Sequence, residues 1–186
     1  MSTILPLAEL GPRIMVCGPS NAGKSTLAVA LAAKLGCEAF HVDLFRHLPD
    51  TDWVQRSDET FAQLHDAAIE AENWVMDGNY SVLMPQRIAR ATGIILLGDS
   101  RWANLFRYLR RTLFERRSRP GSLAGDKDSL KWEMIRWVLI NSPKNLARLR
   151  ETLPMAGRPF VECRSMAEVN GLYAAWGLSR PRHTPT

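Results

Sequence analysis

Arg13-Ile-Met-Val-Cys-Gly-Pro-Ser-Asn-Ala-Gly-Lys-Ser-Thr26 is the stretch on which the fold turns. Its first part, Arg13 to Cys17, is a short apolar run between Gly11-Pro12 and Gly18-Pro19, the pattern of a strand buried on both faces of a parallel sheet. From Lys24 to Leu35 the chain is rich in Ala and Leu, favours helix, and stops at Gly36, where a left-handed residue closes a helix. Between strand and helix, Gly18-Pro19-Ser20-Asn21-Ala22-Gly23-Lys24-Ser25 fits the phosphate-loop pattern G-x-x-x-x-G-K-[ST]. Glycines at those positions let backbone N–H groups point inward, and the helix start adds the positive end of its dipole. Residues 18–26 are therefore the expected cradle for a nucleoside triphosphate. Lys24 is expected on the β- and γ-phosphates and the Ser25 hydroxyl on Mg²⁺, with Thr26 beside it.

Outward from this segment, strands and helices alternate. Further strands are expected at Glu38–Val42, Trp74–Asp77, Gly93–Leu97 and Arg158–Glu162, which describes an α/β layered domain with a mainly parallel sheet. Ligands in such a fold sit at the carboxyl ends of the strands. Ser57 is placed to cap a helix with Phe61, Leu64, Ala68 and Ala71 on its apolar face, and Ser81–Arg90 reads as a short helix disturbed by Pro85. A long helix from Arg101 to Arg117 carries Trp102, Leu105, Phe106, Leu109 and Leu113 on one stripe, with most of its arginines off it. Pro120 to Gly125 breaks the pattern. Helices are expected again over about 129–149, with Trp132 and Trp137 in the core, and over 166–176, before a frayed tail at 179–186.

The chain of 186 residues and 20.9 kDa suits a single domain, core about 13–176. No apolar run is long enough to span a bilayer and the first residues do not resemble a secretory signal, so a cytoplasmic protein without a membrane partner is expected. Cys17, Cys37 and Cys163 lack paired spacing and read as packing residues. The net charge of +5 is uneven: residues 1–100 carry 7 Lys/Arg against 12 Asp/Glu, residues 101–186 carry 17 against 7. A basic second half suits either a nucleic acid or a surface that faces a triphosphate.

A bound Mg²⁺ needs a carboxylate at a neighbouring strand end. Asp77, closing the third strand, is the first candidate and Asp43, closing the second, the next; Asp99 reads equally as a site residue or as the cap of the following helix. His41 reads as a packed strand-end residue.

His41-Val-Asp43, Trp53, Trp74-Val-Met-Asp77-Gly78-Asn79-Tyr80-Ser81, Arg87 and Ile94-Ile-Leu-Leu97 with Arg101 resemble the adenylate-kinase-related P-loop proteins known as topology modulation proteins, over about residues 13–172. The resemblance implies a nucleoside-kinase-like three-layer fold, a five-stranded parallel sheet in the order 2-3-1-4-5, ATP as the nucleotide, and a small arginine-rich lid at about 107–128. Asp77-Gly-Asn-Tyr-Ser81 occupies the place of the adenylate-kinase D-G-F-P-R motif, so Asp77 takes the magnesium-water role and Asn79 and Tyr80 fall beside the acceptor. Ser81 stands where those enzymes place an arginine that grips the acceptor phosphate. Arg87 is the candidate to replace it, a salt-bridged arginine being the competing reading. Arg107 and Arg111 match the spacing of two lid arginines that face the triphosphate, against the alternative of a solvated basic helix face.

The leading expectation is transfer of the γ-phosphoryl group from MgATP to a small acceptor, with catalytic roles for Lys24, Asp43, Asp77, Arg107 and Arg111. An acceptor hydroxyl would meet Asp43 as base; an acceptor phosphate would need none. The competing readings are a nucleic-acid-associated ATPase and a nucleotide-binding module with little turnover.

Overall fold

A computed structural model describes residues 4–51, 53–114, 132 and 136–181. Five parallel strands, β1 (Arg13–Cys17), β2 (Glu38–His41), β3 (Trp74–Asp77), β4 (Gly93–Leu97) and β5 (Phe160–Cys163), form one sheet in the order β2-β3-β1-β4-β5. β1 is central and its apolar residues divide by parity, as strand geometry requires. Ile14 and Val16 face α1 (Lys24–Leu35) and a late helix, Met166–Ala175, while Met15 and Cys17 face the opposite layer. That opposite layer holds α3 (Asp58–Ile69), α4 (Met84–Arg90) and α6 (Ser142–Thr152); Met166–Ala175 is α7. Helices on both faces of a parallel sheet make three layers around a double core.

The second strand is shorter than its sequence pattern. β2 is an edge strand, and its last pair is His41 with Asp77, where β3 itself ends. With no ladder left to join, Val42–Arg46 turns into a short helix, α2, so Asp43 lies in a helical first turn rather than closing a strand. In α3 the Ser57 cap forms as read, its hydroxyl accepting from the Thr60 N–H at 3.2 Å. Its buried face is Phe61, His65, Ala68 and Ile69; Leu64, expected inside, is exposed, because the stripe sits one residue further round.

α5 (Arg101–Phe114) departs most from its reading. Asn104 and Tyr108 are 3 % and 2 % exposed, whereas Trp102 and Phe106, expected on the apolar stripe, are 61 % and 66 % exposed. The rotation is fixed by a polar anchor outside the helix: Arg107 Nε donates to the Asn21 carbonyl at 2.9 Å, and Asn104 Oδ1 holds the same guanidinium at 2.6 Å. Trp132 is exposed as well, against its expected place in the core. Most of the expected lid, with Arg116, Arg117 and Arg119, lies outside the described residues, as does the side chain of Arg111. Among the described residues no helix is long and apolar enough to cross a membrane.

Candidate active site

The loop between β1 and α1 opens at the carboxyl edge of the sheet. Gly18 begins it with φ 141° against the end of β4, where any added Cβ would collide with the Leu97 carbonyl oxygen, so no other residue fits there without moving the strand. Asn21 and Gly23 also hold positive φ, 64° and 86°, which bends the backbone round before Lys24 starts the helix. Pro19 and Ala22 are buried, and Ser20, Lys24, Ser25 and Thr26 are half-buried around the mouth. The Lys24 Nζ donates to the Pro19 carbonyl at 2.9 Å, which holds the ammonium over the loop.

Ser25 and Asp77 meet. The Ser25 hydroxyl donates to Asp77 Oδ2 at 2.6 Å, and Asp77 Oδ1 lies 2.5 Å from His41 Nδ1. Strand register causes the second contact, since His41 and Asp77 are partners across β2 and β3 and their side chains leave the sheet on the same side. His41 is thus a member of the site, holding the carboxylate that Ser25 touches, and not only a packed strand-end residue. Its signal in the sequence was its place opposite Asp77, which needs the register to be seen.

The segment after β3 serves the phosphate loop. Asn79 Oδ1 accepts from the Gly18 N–H at 3.1 Å while Asn79 Nδ2 donates to the Gly18 carbonyl at 2.9 Å. Both polar groups of Gly18 are thereby engaged, so Gly18 shapes the turn and offers no amide to a ligand. Asn79, expected beside the acceptor, instead clamps the loop. Tyr80 donates its hydroxyl to Asp43 Oδ1 at 2.9 Å; burial and the Asp43 charge push the phenol pKa up, which keeps it protonated as a donor.

Arg87 is corrected too. It is wholly buried, with Nη1 donating to the Gly78 carbonyl at 2.8 Å and Nη2 to those of Asn79 and Tyr80 at 2.8 and 3.0 Å. Burial lowers its pKa, and the neighbouring Cys17 and Asp77 act in the opposite direction. A guanidinium enclosed by three carbonyls fixes the 78–80 turn and has no face left for an acceptor phosphate.

On the far side of the loop, Asp99 does not cap α5 through its side chain at the helix; Ser100 does, and Asp99 Oδ2 pairs with Arg107 Nη1 at 2.8 Å. Arg107 Nε donates to the Asn21 carbonyl at 2.9 Å. Arg107 therefore belongs neither to a solvated face nor to an open lid: in this structure it braces the phosphate loop, its donors held by Asp99, Asn104 and Asn21.

The cradle fits a magnesium–triphosphate ligand on its own chemistry. A hard cation takes oxygen donors and, in phosphate sites, one or two protein oxygens plus those of the nucleotide. Ser25 Oγ and the Asp77 carboxylate are such a pair, already in contact at the mouth of the loop. Among the described residues no group of three or more His, Cys, Asp or Glu side chains could hold a metal by itself.

No family profile matches the chain, and neither does any curated protein. Solved structures do. Shikimate kinase from Acinetobacter baumannii in complex with shikimate aligns with a TM-score of 0.54 at 17 % identity, covering 89 % of this chain and 94 % of its own. A putative kinase from Chloroflexus aurantiacus aligns at 0.47 and 17 % identity over 88 % and 97 % of the two chains. A gluconokinase from Sinorhizobium meliloti aligns at 0.42 and 20 % identity over 81 % and 99 %. Strand order, glycine-bounded loop and the likeness to shikimate kinase together define the class: the chain has the three-layer α/β fold of the P-loop kinases.

Proposed function

We infer that the protein is a MgATP-dependent phosphotransferase that passes the γ-phosphoryl group to a small acceptor, working as one domain built on the single sheet. The observation that carries this reading is the contact of Ser25 with Asp77 at 2.6 Å, directly at the start of the helix that follows the glycine loop. A hydroxyl and a buried carboxylate brought together beside a glycine-bounded loop are the oxygen donors that hold a metal next to a polyphosphate. When bound, Mg²⁺ would draw charge from the phosphate oxygens and neutralise what develops on them in transfer.

The chain's own residues supply the rest. Lys24 swings from the Pro19 carbonyl to the β- and γ-phosphate oxygens, contributing positive charge without a proton transfer. Asp77, oriented by His41, would hold the magnesium ion through one of its waters, and it keeps Ser25 aligned. Arg107 keeps the loop in shape through the Asn21 carbonyl, and Arg111 is assigned the charge that closes over the triphosphate from outside. The finer kinship, to the topology modulation proteins, rests on the sequence segment Asp77-Gly-Asn-Tyr80.

Calorimetric titration with MgATP tests the binding half of this reading and acceptor-dependent ADP release the catalytic half. Wild-type protein should bind MgATP, Lys24→Ala should lose both signals, and Asp77→Asn should lose activity by about 10–100-fold, the range for groups that orient a metal. Equal activity in all three proteins would remove the site assignment.

A further inference from the structure

The loops that follow β2 and β3 flank the phosphate loop, with Asn79 on Gly18, Asp77 on Ser25 and Tyr80 on Asp43, and on the phosphotransferase reading they form the acceptor side of the site. Residues 42–60 and 78–88 contain three arginines, Arg46, Arg56 and Arg87, and no lysine. Each of the three is bound within the protein. Arg87 is enclosed by the Gly78, Asn79 and Tyr80 carbonyls. Arg46 pairs through Nη1 with Asp58 at 2.5 Å and through Nη2 with the Gln55 side chain at 2.6 Å, its guanidinium lying 5.3 Å from the centre of the Phe61 ring. Arg56 Nη1 sits among the carbonyls of Leu44, at 2.7 Å, Phe45, at 3.2 Å, and His47. These cations organise α2 and the turns around it.

Among the half-buried side chains of these loops stands a carboxylate, Asp43. Tyr80 donates to its Oδ1, which leaves Oδ2 as the acceptor for a further hydrogen bond. A phosphate acceptor requires the opposite environment: a fork of guanidinium donors for its oxygens, and distance from other anions. Placed beside Asp43 it would meet like charge in a partly desolvated site. An alcohol meets no such penalty, and its O–H finds in Asp43 both a hydrogen-bond acceptor and a base.

We propose that the acceptor is a phosphate-free alcohol, of the kind carried by sugars, polyols and nucleosides, whose hydroxyl is bound by Asp43. The inference rests on the phosphotransferase reading above. In the step it describes, the substrate oxygen forms a bond to the γ-phosphorus as the bond from that phosphorus to the bridging oxygen of ATP breaks. ADP leaves with the electron pair, and the hydroxyl proton passes to Asp43 Oδ2. The product is a phosphate monoester, not a phosphoanhydride.

The test incubates the full chain with MgATP and two sets of acceptors, one of nucleosides, aldoses and polyols, the other of nucleoside monophosphates. Phosphorus NMR identifies the bond formed, and calorimetry follows MgATP binding in parallel. The expected result is a phosphate ester from the first set and no anhydride from the second. Asp43→Asn should slow ester formation about 100-fold or more while its MgATP affinity, which also reports that it is folded, stays within about twofold. Anhydride formed on a monophosphate, or an Asp43→Asn protein that makes ester at the wild-type rate, overturns the inference and leaves the phosphotransferase reading standing. MgATP binding with no transfer to either set overturns both.

Discussion

Asn79 occupies a position where one side-chain amide can do the work of a paired strand. Its two ends meet the N–H and the C=O of Gly18, the residue that cannot carry a side chain against Leu97. Removing the amide leaves both groups of a buried glycine without partners, a loss of about 1–3 kcal/mol, and frees the first residue of the cradle to move. Asn79→Ala should accordingly weaken MgATP binding by about tenfold in calorimetry, an effect near 1.4 kcal/mol, and lower the unfolding temperature. Asn79→Asp keeps the acceptor end alone and should lie no closer to wild type, because it adds a negative charge beside the phosphates. Unchanged affinity in Asn79→Ala would mean that the loop holds its shape without the clamp. Residue by residue, the phosphate loop was legible because its pattern states a mechanism. Asn79 and Arg87 were legible as important and not in their roles, because nothing in a linear pattern shows that a side chain folds back on the loop instead of facing a substrate.

At the scale of elements, the strands and helices were readable where a pattern had a neighbour to satisfy it. β4 and β3 have the bounds their apolar runs suggest, since each is flanked on both sides by other strands. β2 ended early because its one neighbour ended, and α5 rotated because Asn104 and Arg107 answer to the phosphate loop rather than to an apolar stripe. α3 shows a third case, in which a polar residue takes an apolar place. His65 is wholly buried, its Nδ1 is 2.9 Å from Asp66 Oδ1, and its Nε2 has no partner. Burial lowers its pKa, the Asp66 hydrogen bond opposes this, and the charge of Arg87 adds to the lowering. The folded chain therefore holds this proton less tightly than the unfolded chain. Above the ordinary imidazole value, about 6.5, the residue is neutral in both states and contributes no pH dependence. As pH falls below that value the unfolded chain takes up the proton first, and stability drops by up to about 1.4 kcal/mol per pH unit until the folded state also protonates. Thermal unfolding from pH 7 to pH 5 should show this decline in wild type and a flatter profile in His65→Leu. Parallel profiles would assign the acid sensitivity to other groups.

Across the whole molecule, the carboxyl edge of the sheet brings together the ends of four strands through side chains that belong to one and touch another: Asn79 on Gly18, Asp77 between Ser25 and His41, Tyr80 on Asp43, Arg107 on Asn21 and Asp99. The fold class was legible from the alternation of elements; this interlocking was not, since it depends on register and on the turns between elements. Charge separates along the same edge. The acidic first half supplies Asp43 and Asp77, and the basic second half supplies α5, which reaches the phosphate loop through Arg107. A triphosphate approaching a chain of net charge +5 gains from that field, and salt weakens the gain once the screening length falls to about 10 Å, near 0.1 M. A neutral acceptor feels no such field. Raising ionic strength from about 0.05 to about 0.5 M should therefore increase KM for MgATP severalfold and leave KM for the acceptor unchanged. An acceptor KM that climbs in step with that of MgATP would instead place a charged substrate on the Asp43 side.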